Sequence, residues 1–284
     1  MAQDHTPSLF APNLSEIPIR PAGDRPERMK VLITVKAAPQ PSESYGETVC
    51  IAGLRLDLEN QGWIRLYPIN FRELESNDKF KKYEVIELEA RPSHSHDPRP
   101  ESWRPNITSI TTVGSLKTWK DRTPYISDYI ETSMCKRLDG VRKSKNSRSL
   151  AAIRAKRVKG IDILPHPGWT PDEQRKIDAY VAQTELGSTS PRVALQAPRF
   201  KAWYKYECQD PGCNGHRQGI LDWELVALQM RLRHADDNFV RESIHEKFLL
   251  NMCGPEHDTV FFVGNQAKRQ QVFSVLGVYY PKIK

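Results

Sequence analysis

The sequence predicts an α+β protein in three parts: a small β-barrel-like module near the N-terminus, a helical and basic middle, and a C-terminal Cys/His knuckle with helices and a terminal β-hairpin. Three observations predict it. Short β-rich runs crowd residues 29–115, helical periodicity and capping signals take over from about residue 116, and Cys208 to His216 packs three soft metal ligands into nine residues. With 284 residues, of which 38% are hydrophobic, the chain is long enough to bury one large core or two smaller ones. The expected division is a disordered tail over 1–28, a β-rich module over 29–115 and an α+β module over 116–284.

The tail rests on composition: Pro7, Pro12, Pro18, Pro21 and Pro26 interrupt a stretch with little apolar periodicity, which cannot repay the entropy of ordering. From Met29 the runs Val31 to Val35, Thr48 to Leu58, Trp63 to Tyr67 and Tyr83 to Ala90 read as strands, the last partly alternating through Val85-Ile86-Glu87-Leu88-Glu89. Asn60-Gln61-Gly62 and Pro39-Gln40-Pro41-Ser42 are turn signals between them, and Ile107 to Val113 can close a curled sheet.

Helices follow. Thr123-Pro124 reads as an N-cap with proline at the first helical position, and Ile126, Tyr129, Ile130, Met134 and Leu138 share one helical face before Asp139-Gly140. Thr170-Pro171-Asp172-Glu173 is a capping box opening a second helix that carries Ile177, Tyr180 and Val181 and runs to Gly187. Leu221, Leu225, Leu228 and Leu232 mark a third helix; Val240, Ile244 and Phe248 mark a fourth, ending at Gly254-Pro255. The chain then returns to strands over 259–280, with a break at Gly264-Asn265 and a long polar connection expected between them.

The number and length of the N-terminal strands resemble small barrels of the OB or PUA kind, which bind nucleic acids with aromatic rings and cations. Trp63-Ile64-Arg65-Leu66-Tyr67, Phe71-Arg72, Phe80-Lys81-Lys82-Tyr83 and Trp103-Arg104 interleave the two residue types. Packing into the core is the commoner fate of such rings, which leaves Arg65 and Arg72 as the candidate contacts.

Cys208, Cys213 and His216, folded by Pro211-Gly212 and Asn214-Gly215, are spaced C-x4-C-x2-H and suit a tetrahedral zinc ion of structural type. Cys253 is the leading fourth ligand, with His257 beside it; His234, His245, Asp210 or a water are alternatives. An odd count of five cysteines fits reduced thiols and a metal better than a disulfide framework.

Charge is concentrated. Between Lys136 and Lys159 ten Lys and Arg face the single anion Asp139, a local +9 where the whole chain is +7. Such a segment is expected to bind phosphate backbone through Arg142, Lys143, Lys145, Arg148, Arg154, Lys156 and Arg157; the competing reading is a solvated linker.

A weaker set points to hydrolysis. His94, His96 and Asp97, with Asp222 and Glu224 from farther along, are the residue types that hold Mg²⁺ in a nuclease, provided that they converge. Phosphate-binding P-loops, dinucleotide fingerprints, H-E-x-x-H and G-x-S-x-G are all missing from the sequence, which removes the chemistries they serve. No apolar run of about 18 residues exists to cross a bilayer, and Met1 to Arg28 lacks the pattern of a secretory signal, so a cytoplasmic location without a membrane partner is expected. The functional expectation is a protein that binds DNA or RNA and carries a zinc staple; the rivals are a metal-dependent nuclease or phosphodiester hydrolase and a scaffold for an acidic protein partner.

Overall fold

The computed structural model describes residues 23–42, 46–57, 62–69, 80–93, 97, 99–182 and 192–283. Its first half holds seven strands: β1 Glu27–Lys36, β2 Gln40–Ser42, β3 Gly46–Arg55, β4 Gly62–Ile69, β5 Glu84–Pro92, β6 Ser102–Pro105 and β7 Thr111–Ser115. Five of them, in the order β1-β3-β4-β6-β5, form a closed barrel, because β5 also pairs with β1. The β4–β6 pair is parallel and the others are antiparallel. Strand β2 lies against β3 and β7 against β5.

Alternation explains the barrel wall. In β5, Ile86, Leu88 and Ala90 are buried while Glu87 and Glu89 between them face outward, and the inward set meets Val31, Ile33, Val49, Ile51 and Leu66 in one core. Gly53 in β3 permits the tightest approach: a Cβ there would lie 2.2 Å from the Leu32 carbonyl oxygen and 2.8 Å from Val31 Cγ1.

The second half contains α1 Trp119–Ile126, β8 Ile130–Glu131, α2 Met134–Lys143, β9 Leu150–Pro165, α3 Pro171–Val181, β10 Phe200–Cys208, β11 His216–Gly219, α4 Trp223–Arg231, α5 Asp237–His245, β12 Val260–Gln266 and β13 Arg269–Tyr279. A π-helical turn, Glu246–Asn251, extends α5. The strands form a curled sheet in the order β11-β10-β9-β12-β13, with β8 beside β9. The curl brings the end of β11 back to β13, where the Leu221 amide donates to the Val275 carbonyl at 2.8 Å.

Strand β9 organises this sheet. Its first part pairs with β12, from Leu150↔Gly264 to Arg154↔Val260, and its later part pairs with β10, from Ala155↔Cys208 to Pro165↔Phe200. Leu150 to Ile153 are buried, whereas the strand has emerged from the core by Lys156 and Arg157. Within the basic segment α2 runs only as far as Lys143; a turn over 144–149 then leads into β9, a central strand of the sheet.

Several predicted boundaries change. The expected tail is shortened at its inner end, since Glu27 and Arg28 belong to β1; residues 1–22 lie outside the described residues. The helix expected from Thr123 starts earlier. Thr118 and Asp121 make the capping box, with Asp121 N–H donating to Thr118 Oγ1 at 3.2 Å and Thr118 N–H to Asp121 Oδ2 at 3.0 Å, so Pro124 falls inside α1. A turn and β8 then separate α1 from α2, which Ser133 caps and which runs through Gly140 to Lys143. The Thr170–Glu173 box forms as expected, at 2.9 and 3.3 Å, but α3 ends at Val181. Gly264 and Asn265 do not break the terminal hairpin; they sit within β12, and only Ala267 and Lys268 lie between Gln266 and Arg269.

A third core joins the halves. Val35, Ala52, Leu54, Trp63 and Tyr83 from the barrel pack with Tyr129, Ala152, Phe262 and Tyr279 from the second half. Trp63 is edge-on to both Tyr129 and Phe262, with centroids 6.1 and 5.9 Å apart.

Candidate metal centre

The β10–β11 hairpin builds most of the site. Cys208 ends β10, His216 begins β11, and Tyr206 pairs with His216 in register. Between them the Cys213 amide donates to the Asp210 carbonyl at 3.1 Å, the Gly212 amide to Asp210 Oδ1 at 3.1 Å, and the Gly215 amide to Cys213 Sγ at 3.4 Å. Gly215 has φ +97°, which a side chain rarely tolerates, so this knuckle needs glycine there.

The fourth corner is Cys135, in the first turn of α2. Two contacts seat that helix on the knuckle: the Ser133 hydroxyl, which caps α2, donates to Asp210 Oδ2 at 2.8 Å, and the Gln209 amide donates to the Thr132 carbonyl at 2.9 Å. Cys135 Sγ lies 3.8 Å from Cys208 Sγ and 3.6 Å from His216 Nε2; His216 Nε2 lies 3.4 Å from Cys208 Sγ and 3.3 Å from Cys213 Sγ. All four donor atoms fall within 4.8 Å of one another, and the cluster can hold a metal ion.

Electrostatics prepare one thiolate. Burial raises the Cys208 thiol, but the Cys135 amide, His216 and the Asp210 amide hydrogen-bond its sulfur and bring it down to about 6. Burial and the neighbouring Cys208 push Cys135 up to about 12. Cys253, the expected fourth ligand, is elsewhere: its thiol donates to the Phe248 carbonyl of the π-helical turn at 3.4 Å, and burial pushes it up to about 12.

The expected phosphate contacts divide into three groups. Arg65 is buried in the junction of the halves, donating to Cys50 Sγ at 2.8 Å and to Ser149 Oγ at 3.0 Å, while the Ser149 amide and hydroxyl donate to Glu101. Arg148 is buried as well, and burial together with Arg137 lowers its pKa. These two are structural cations, because a ligand in solvent cannot reach them. Arg142, Lys143 and Lys145 are exposed at the end of α2 and in the turn after it, with Arg142 paired to Asp139 at 3.2 Å.

Arg154, Lys156 and Arg157 line a cleft of about 1160 Å³ beside the metal cluster, together with Gln209, His257 and Lys282. Asp258 in the same wall pairs with Arg154 at 3.0 Å, and Arg157 reaches Glu207 at 3.5 Å. Arg72 lies outside the described residues. The rings interleaved with these cations are core, as expected of them: Trp63, Phe80, Tyr83 and Trp103 are all buried.

The described members of the hydrolytic set, Asp97, Asp222 and Glu224, form no metal-ligand group. Asp97 is held by Arg99, with which it makes an ion pair at 2.5 Å, and by the Ser102 hydroxyl at 2.7 Å. Asp222 and Glu224 instead surround Lys82 Nζ, at 2.7 and 3.0 Å, and Glu224 also pairs with Lys247 at 2.9 Å. Burial would raise Glu224, but Lys82 and Lys247 bring it down to about 2. Among the described residues the Cys/His cluster is the one group with metal-ligand geometry, so these carboxylates serve cationic side chains. His94 and His96 lie outside the described residues. No described helix is long and apolar enough to cross a membrane.

No curated protein matches the chain. Residues 27–128 match a family described as Domain of unknown function (DUF8758), and these residues hold the barrel and α1. Residues 130–284, which carry all four donors of the cluster, match a second family, and the chain belongs to it: Domain of unknown function (DUF8757).

Proposed function

We propose that the protein binds nucleic acid through the cleft lined by Arg154, Lys156 and Arg157, and that a structural zinc ion at Cys135, Cys208, Cys213 and His216 fastens the edge of that cleft. The observation that carries the reading is the clustering of charge. Arg154, Lys156, Arg157 and Lys282 line one cleft against the single carboxylate of Asp258, a surplus suited to successive phosphates.

Zinc is supported by the donor set and its spacing. A tetrahedron with Zn–S of about 2.3 Å and Zn–N of about 2.05 Å has sulfur–sulfur edges of about 3.8 Å and sulfur–nitrogen edges of about 3.6 Å. The observed separations of 3.8 Å between Cys135 and Cys208 and 3.3 to 3.6 Å to His216 follow that pattern. Three thiols and one imidazole fill all four positions, which suits a staple and leaves no place for an activated water. The cluster joins two parts of the chain distant in sequence, the start of α2 and the β10–β11 hairpin, and Gln209 next to Cys208 lines the cleft.

Fluorescence anisotropy with labelled single- and double-stranded DNA and RNA tests the reading through two charge-removal variants. Replacing both Lys156 and Arg157 by glutamine is expected to weaken binding at least tenfold. Removing Arg142, Lys143 and Lys145 in the same way reports on the adjacent exposed patch and is expected to cost less. Equal affinities for the wild type and the Lys156→Gln/Arg157→Gln variant would overturn the placement.

A further inference from the structure

A second cavity, of about 450 Å³, lies where the two halves meet. The turn before β5 brings Lys81, Lys82 and Tyr83, α1 brings Trp119 and Arg122, and the start of α4 brings Asp222, Trp223 and Glu224; Tyr280 follows β13. Its size falls within the range of about 300–1,000 Å³ usual for small-molecule and cofactor sites, and its walls combine rings with a few charged groups, as such sites do.

Three independent features distinguish it from a packing defect. The first is backbone geometry. Tyr83 has φ +66°, the only positive φ at a non-glycine position among the described residues, and a bulky aromatic residue adopts that region only where its surroundings enforce it. The Tyr83 amide donates to the Ile33 carbonyl at 2.6 Å and its carbonyl accepts from the Leu116 amide at 2.8 Å, which locks the residue in place.

The second is flat surface. Trp119 stands edge-on to Tyr83 at 5.9 Å and to Tyr280 at 4.9 Å, and the Arg122 guanidinium lies over Tyr83 at 3.9 Å and over Trp119 at 4.6 Å. Two backbone carbonyls, of Leu116 and Lys117, accept from Arg122 and hold its plane against the rings. Rings and a fixed guanidinium are the surfaces on which a nucleobase stacks.

The third is charge. Asp222 and Glu224 accept from Lys82, so the interior is internally paired, and Lys36, Lys81 and Arg122 leave the cavity lining cationic overall. Lys81 is exposed, whereas the side chain of Asp222 is only 1% exposed. A ligand matched to this arrangement has a planar, hydrogen-bonding ring for the interior and an anionic group for the cationic lining.

We propose that this cavity is a nucleotide site, which takes a nucleobase against Trp119, Tyr280 and Arg122, with the buried Tyr83 backing Arg122, and its phosphate near Lys81. Glu224, whose carboxylate oxygens keep lone pairs beyond those that Lys82 and Lys247 use, provides an acceptor for a base amino or imino group. The nucleotide is either free or one member of a strand. For a nucleotide within a strand the inference rests on the nucleic-acid reading above; for a free nucleotide it stands separately.

Calorimetric titration of the full chain with AMP, GMP, CMP and UMP, and with short single-stranded DNA and RNA, tests it. The variants are Lys81→Glu, at an exposed position that the fold does not need, Trp119→Phe, which shortens the ring surface, and the Lys156→Gln/Arg157→Gln pair in the other cleft. Saturable binding of a mononucleotide, weakened at least fivefold by Lys81→Glu and unchanged by the pair, supports a site for free nucleotides. Strand binding alone, weakened by Lys81→Glu and separately by the pair, supports a site for one nucleotide of a strand. Strand binding that only the pair weakens would overturn the nucleotide site and leave the groove intact. Mononucleotide binding indifferent to both Lys81→Glu and Trp119→Phe would overturn it as well, as would silence with every nucleotide and strand.

Discussion

Cys135, and not the expected Cys253, completes the Cys/His cluster, and the difference has physical causes. Cys253 is next to the Gly254-Pro255 helix stop, a turn that looks suited to a ligand, yet its thiol is spent on the Phe248 carbonyl beneath the π-helical turn. Cys135 is 73 residues from Cys208, too far for spacing to connect them, and the seating of Ser133 on Asp210 and of Thr132 on Gln209 delivers it. The expected consequence is that Cys135→Ser abolishes stoichiometric zinc retention on dialysis and lowers the melting temperature, whereas Cys253→Ser keeps the metal; elemental analysis beside a thermal melt reads both. Acidity is affected too. In the metal-free protein Cys208 should ionise near pH 6, against about 8.5 for an unfolded cysteine. Because the folded value is the lower one, the stability this thiolate contributes is complete above about pH 8.5 and is lost as the pH falls through about 6. Thiolate absorbance at 240 nm should therefore show an early ionisation that Cys208→Ser removes; a first midpoint above pH 8 would refute it. Arg65 teaches a related lesson: arginine beside aromatic residues suggests phosphate binding, but here the guanidinium crosses the junction to Ser149. Arg65→Ala should destabilise the fold by about 1–3 kcal/mol, since it strands buried polar groups, and the loss is read by denaturant unfolding.

Elements were legible where local chemistry was complete. The Thr170–Glu173 box contains its own stop and start signals, and α3 forms there; the alternation of Val85 to Glu89 likewise yields a strand with Ile86 and Leu88 inward. The start of α1 was misread because Thr123-Pro124 imitates an N-cap, while the true box uses Asp121, a shorter acid than the usual Glu or Gln at that position. Strand β9 was hidden by its charges. A run of Arg and Lys reads as a linker or an exposed helix, but alternate pairing with β12 and β10 satisfies its backbone, and Glu207 and Asp258 answer Arg157, Lys159 and Arg154. The barrel has one position with no slack: Gly53→Ala would drive a Cβ against the Leu32 carbonyl, part of a paired backbone that cannot move aside. We expect a loss of about 3 kcal/mol or more, above the usual range for overpacking because the obstacle is backbone. An unaltered unfolding midpoint would show that β1 and β3 can separate locally.

For the whole molecule, composition and charge indicated an α+β chain with concentrated positive charge, but not that its two halves share a core. Trp63 makes that plain: its ring, expected in a core, lies between Tyr129 and Phe262, where barrel and curled sheet meet. The same joining creates the cavity around Tyr83 and Trp119, whose walls come from segments far apart in sequence. Unfolding should accordingly be one cooperative transition by calorimetry, and Trp63→Ala should lower it by about 3–5 kcal/mol in a single step instead of splitting it in two. The central claim concerns the cationic cleft, and salt tests it most directly. Affinity of the zinc-loaded wild-type protein for a labelled oligonucleotide should fall linearly in log–log form as salt rises, with a slope equivalent to three or more phosphates, and the Lys156→Gln/Arg157→Gln variant should reduce that slope by about two. Binding that does not change with salt, or a slope identical in the variant, would contradict the account.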